Sequence, residues 1–135
     1  MVEGPERPKA RPRSPHLQVY RPTLTMTMSI AHRLTGAALY FGTVLFVWWL
    51  MAISAGPGSY ALEQGFMSSS VGRAILFFFT WSLLHHALGG VRHLVWDLGF
   101  AHDYPWREYL ARATIIGSLS ATVLLWVAGF LIKEM

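Results

Sequence analysis

Three stretches of this chain, residues 34–62, 74–91 and 113–132, contain no charged residue. A bilayer core of about 30 Å is crossed by about 20 apolar helical residues. Runs of this length therefore point to lipid rather than to a soluble core. Composition agrees: 53% of residues are hydrophobic and only 13% are charged, against roughly 25% charged in soluble domains. A backbone in lipid must satisfy its own hydrogen bonds, and an open sheet cannot. The expected fold class is an all-α membrane protein with three transmembrane helices, at about 29–54, 72–98 and 112–133. They form one anchor domain, 14–135, behind a disordered basic tail, 1–13.

The breaks fit this division. AGPGS (55–59) supplies Gly and Pro to end the first helix, and SSSVG (68–72) offers N-cap oxygens to the second. FAHDYPWREY (100–109) is a charged linker containing a proline. Trp48, Trp49, Tyr60, Trp106 and Tyr109 fall near the span ends, as an aromatic belt would.

Charge placement sets the expected orientation. Six of the eleven Lys and Arg residues precede Leu34: Arg7, Lys9, Arg11, Arg13, Arg21 and Arg33. Arg107 and Arg112 lie in the second connection, with Arg92 just inside the second helix. The N-terminus is thus expected inside. The net charge of +4 is a topology signal here and not a nucleic-acid footprint. Without cysteine, disulfides, thiolate metal sites and cysteine nucleophiles are excluded. No Ser-His-Asp triad, phosphate loop or metal-hydrolase motif is present.

Two polar clusters then need explaining. In MSIAHRLTG (28–36), Ser29, His32 and Arg33 share one face of the first helix. In HHALGGVRHLVWD (85–97), His86 and His93 are seven apart and share a face of the second. The helices run antiparallel, so both clusters reach the same leaflet. Ionisable groups in spans are costly and face a cavity, a partner or a cofactor. Gly89 and Gly90, one turn from His86, leave room for something flat beside an imidazole. An axially ligated haem is such a group; close helix packing is the alternative use of small residues. Spacing alone allows His85 or His86 as the ligand, the other making an interhelical hydrogen bond. Arg33 suits a carbonyl or anionic ligand, or else snorkels to headgroups. Ser29 is either a cap or a donor to a quinone carbonyl. Asp97 has Arg92 and Arg33 as possible ion-pair partners.

Together the motifs RPRSPHLQVYRPTLTMTMSIAHRLTG (11–36) and HALGGVRHLVWDLG (86–99) resemble the cytochrome b subunit of succinate dehydrogenase, of the alphaproteobacterial and mitochondrial branch. The resemblance covers about residues 11–133. It implies a three-helix anchor packed against a second small membrane anchor, the pair carrying a flavoprotein and an iron–sulfur subunit. It implies haem b shared with the partner anchor, with His86 as this chain's axial iron ligand and His32 and His93 near the haem. Ser29 and Arg33 correspond to residues of the ubiquinone pocket, and Asp97 to an acidic residue of less defined role. The chain would have no succinate chemistry of its own. Only about ten residues precede the first motif, and they include Glu3 and Glu6. A mitochondrial transit peptide is longer and acid-poor, so a bacterial inner membrane is expected. The rival functions are a non-redox membrane scaffold and a self-contained cytochrome b using both His32 and His86.

Overall fold

The computed structural model describes residues 21–134. The tail 1–13 and the domain start at residue 14 lie outside them. Four helices follow one another among the described residues: α1 (Leu24–Ala55), α2 (Pro57–Ser68), α3 (Ser70–Asp97) and α4 (Trp106–Glu134). Three of them, α1, α3 and α4, are long and apolar enough to cross a membrane. At 1.5 Å per residue, the 32 residues of α1 extend about 48 Å, well beyond a hydrocarbon core.

Each boundary has a local cause. Thr23 caps α1, its hydroxyl accepting from the Met26 N–H. The threonine-rich turn ahead of residue 29 is therefore helical, and α1 starts five residues before the sequence-based boundary. Gly56 ends α1 at φ 105°, a left-handed conformation that glycine adopts without a Cβ penalty. Residues 55–71 read as a break, yet they hold α2. Pro57 occupies its first turn, where the missing N–H costs nothing, and YALEQGFM continues with helix formers. Ser69 is extended and its hydroxyl accepts from the Gly72 N–H at 3.1 Å, which starts α3 as the serine run led us to expect. The loop after α3 turns on Gly99, whose N–H reaches the Trp96 carbonyl at 2.7 Å. At α4 the helix begins at Trp106, six residues before the expected start. Its charged first turns are helical too, with Arg112 paired to Glu108 one turn away at 3.4 Å.

The bundle is centred on α3, which packs against α1 on one side and α4 on the other. Its polarity is inverted relative to a soluble core. Tyr40, Phe41 and Leu34 are largely exposed, whereas Thr114, Ser118 and Thr122 of α4 are buried. The three hydroxyls return their protons to carbonyls of their own helix. Small residues at the seams and large apolar ones outside are the arrangement lipid favours. Gly42 shows how close the seam is: a Cβ there would run into the Phe79 ring of α3. These features make the chain a multi-pass membrane protein.

Candidate functional site

At the end of the bundle where α1 starts and α3 ends, three imidazoles converge. His32 of α1 and His86 of α3 stack face to face, centroids 3.9 Å apart and planes 15° from parallel. His93 meets His32 edge-on at 5.4 Å and Trp96 at 5.2 Å. The guanidinium of Arg92 lies 5.1 Å over the Trp96 ring. The two sequence clusters are therefore one site.

The hydrogen bonds assign His86 a tautomer. Its Nδ1 is 3.0 Å from the His32 carbonyl oxygen, which can only accept. Nδ1 therefore carries the proton, and in a neutral imidazole Nε2 keeps its lone pair. The Thr35 hydroxyl, 3.4 Å from the same Nδ1, donates to the carbonyls of Ala31 and His32 and braces the contact. A ring nitrogen tied to a carbonyl with the other left as a Lewis base is how metal-ligating histidines are oriented. Nε2 of His86 makes no hydrogen bond among the described residues.

His85 points elsewhere. It is buried, and its Nδ1 donates to the Ser118 hydroxyl of α4 at 3.1 Å, since that hydroxyl gives its own proton to the Ile115 carbonyl. His85 makes the interhelical hydrogen bond and its Nε2 is buried without a partner among the described residues, whereas His86 is the partly exposed imidazole facing α1. The two glycines also separate. A Cβ at Gly89 would collide with the His32 ring, so Gly89 serves close packing of α1 on α3. A Cβ at Gly90 meets nothing within 4 Å. The two alternatives weighed for the pair thus divide between them: Gly89 packs, and Gly90 opens space one turn from His86.

This donor set suits a haem. Among the described residues no group of three or more His, Asp and Glu could hold a bare metal ion. A haem brings four nitrogens of its own and asks the protein for axial ligands only. His86 offers one, beside the open flank of Gly90. Stacked as they are, the rings of His32 and His86 do not face each other across a gap that could hold an iron. His32 Nε2 is buried and unpartnered, as are Nε and Nη1 of Arg92.

The remaining predicted residues lie on the outside of this end. Ser29 and Arg33 are exposed on α1, flanking His32, with no side-chain hydrogen bond or ion pair among the described residues. Asp97 is exposed and pairs with neither Arg92 nor Arg33. Sequence reasoning missed Thr35 and Ser118, the hydroxyls that fix the two adjacent histidines. Thr35 stands three residues after His32, within reach of whatever His32 touches, and that spacing was the available signal.

The model of the family described as succinate dehydrogenase/fumarate reductase transmembrane subunit matches residues 7–127. The chain is 41% identical over 120 residues to the succinate dehydrogenase cytochrome b556 subunit of Paracoccus denitrificans, covering 89% of this chain and 92% of that one. It is 37% identical over 117 residues to the protein of the same name from Rickettsia prowazekii, covering 87% and 91%. It is 34% identical over 125 residues to the succinate dehydrogenase cytochrome b560 subunit of Reclinomonas americana, covering 87% and 85%.

Proposed function

The chain belongs to the succinate dehydrogenase/fumarate reductase transmembrane subunit family, and from that premise we propose that it is the haem b-binding anchor of a succinate:ubiquinone oxidoreductase in a bacterial inner membrane. Its partners are a flavoprotein, an iron–sulfur subunit and a second small anchor. Succinate chemistry belongs to those partners; this chain delivers their electrons to quinone within the membrane. The observation that carries the reading is the orientation of His86, with Nδ1 committed to the His32 carbonyl and Nε2 left as a Lewis base.

Haem b, when bound, supplies one-electron redox chemistry. His86 would hold its iron through Nε2, with a residue of the partner anchor completing the site. His32 and His93 flank it, and the unpartnered Nε2 of His32 gives its periphery a polar neighbour. Ser29 and Arg33 form part of the ubiquinone pocket. Their exposure at the helix end suits a substrate whose head must meet donors and whose tail must stay in lipid. Reducing a quinone to a quinol takes up two protons, and a site at the end of the bundle reaches water for both. The guanidinium of Arg33 holds the developing negative charge on the quinone oxygens. The N-terminus faces the cytoplasm.

The test is a dithionite-reduced-minus-oxidised optical spectrum of the detergent-purified chain with its copurifying subunits identified by mass. A b-type haem accompanied by the three partners is expected. A complex without haem would reduce the chain to a scaffold whose polar groups only pair helices.

A further inference from the structure

At the opposite end of the bundle a second feature is unaccounted for by haem or quinone. A cavity of about 500 Å³ opens between the end of α1, α2, the start of α3 and the end of α4. That volume is in the range of ligand pockets, roughly 300–1,000 Å³. Trp49, Phe79, Trp126 and Phe130 form its apolar wall. Three charged groups also line it: Glu63 of α2, Arg73 of α3 and Lys133 of α4. Glu63 is only 1% exposed. Its one hydrogen bond among the described residues comes from the neighbouring Gln64 amide at 3.2 Å. No described ion pair joins it to Arg73 or Lys133. A buried carboxylate held by one amide of its own helix lacks the cationic or donor partner that burial demands.

The layering of the cavity identifies its ligand class. Arg73 and Lys133 bound the uncharged runs of α3 and α4, so both stand at headgroup depth. The aromatic wall reaches from there toward the hydrocarbon interior. A phosphate meets the two cations, acyl chains meet the aromatics, and Glu63 calls for a hydrogen-bond donor beside the phosphate, best a cationic one. Phosphatidylglycerol brings Glu63 only neutral hydroxyls, weaker donors to a carboxylate than a cation, and a choline headgroup has no N–H to give. An ammonium has three. We propose that this cavity is a binding site for phosphatidylethanolamine, the phosphate held by Arg73 and Lys133 and the ammonium by Glu63.

The experiment uses the complete membrane complex and a phosphatidylethanolamine carrying a photoactivatable diazirine in its acyl chain. Labelled peptides are mapped by mass, and unlabelled phosphatidylethanolamine, phosphatidylcholine and phosphatidylglycerol compete. We expect label on the segments containing Trp49, Phe79 and Trp126. Phosphatidylethanolamine should compete about tenfold better than phosphatidylcholine, the size of one charge-assisted hydrogen bond. Glu63→Gln should erase that preference, while Arg73→Gln should weaken labelling whichever lipid competes. Equal competition by the two lipids against the unaltered complex, which requires no variant to fold, overturns the proposal. So does absence of label from these segments, because another subunit then fills the cavity. The haem spectrum, read on the same samples, reports the other end of the bundle independently.

Discussion

A histidine ligates iron well only if its other nitrogen is spoken for. His86 meets that condition through a backbone carbonyl, and a carbonyl survives any side-chain substitution at residue 32; His85 meets it through Ser118, but inside the α3–α4 seam, where it is buried. Under the proposed haem role, these two neighbouring imidazoles differ in consequence. His86→Ala should abolish the b-type optical signal. His85→Ala should leave haem content within about twofold and weaken the α3–α4 seam by about 0.6 kcal/mol, typical of an interhelical hydrogen bond in a membrane. Thermal unfolding in detergent and pyridine haemochrome content read these apart; loss of haem in His85→Ala alone would move the ligand to His85. If Arg33 holds the quinone head, Arg33→Leu removes a hydrogen bond to a charged group and should lower quinone reduction about tenfold to a hundredfold. Succinate oxidation by a soluble dye should stay near normal. Equal loss of both activities would place Arg33 in assembly instead.

At the scale of the helix, Gly89 and Gly90 share one sequence signal but have two jobs. Gly89→Val drives a side chain into the His32 ring and must push α1 from α3, an overpacking cost of about 1–3 kcal/mol. Gly90→Val enters open space and should leave the bundle assembled while crowding the haem flank. The measurement is the ratio of haem to folded complex: Gly89→Val should lower complex yield, and Gly90→Val should lower haem per complex. The reverse pattern would put the haem on the other side of α3. This distinction was invisible in the sequence, because GG shows smallness and not which Cα faces a neighbour. The three spans were legible, since uncharged runs in lipid leave few alternatives. α2 was not, because Gly56 and Pro57 mark the end of one helix and the start of the next with the same two residues. The starts of α1 and α4 were also missed, as helical turns at the water interface keep polar residues that end an apolar run without ending the helix. At the site, the pairing of the two clusters followed from topology. The tautomer of His86 did not, because it depends on a carbonyl that every residue carries.

At the scale of the whole molecule, the proposed haem would take one imidazole from this chain, since its described histidines do not face one another across a gap. His32 lies parallel to His86 at 3.9 Å, so its ring covers the face of the ligand rather than the far side of an iron. His93 lies edge-on to His32, on the same helix as His86 and about 10 Å further along the axis, by the rise of an α-helix over seven residues. The outer faces of α1 and α3 are apolar and open, Leu34, Tyr40 and Val91 among them, and a second subunit can bring a histidine across. The chain expressed alone should therefore hold no low-spin, six-coordinate haem, and coexpression with the second anchor should create it. Electron paramagnetic resonance of the oxidised samples distinguishes the two states, since bis-imidazole ligation makes the iron low-spin. A low-spin signal from the isolated chain would mean that α1 and α3 rearrange to sandwich the iron. The stacking of His32 on His86 would then belong to the haem-free form only, and the shared-haem reading would fall while the membrane-anchor reading stood.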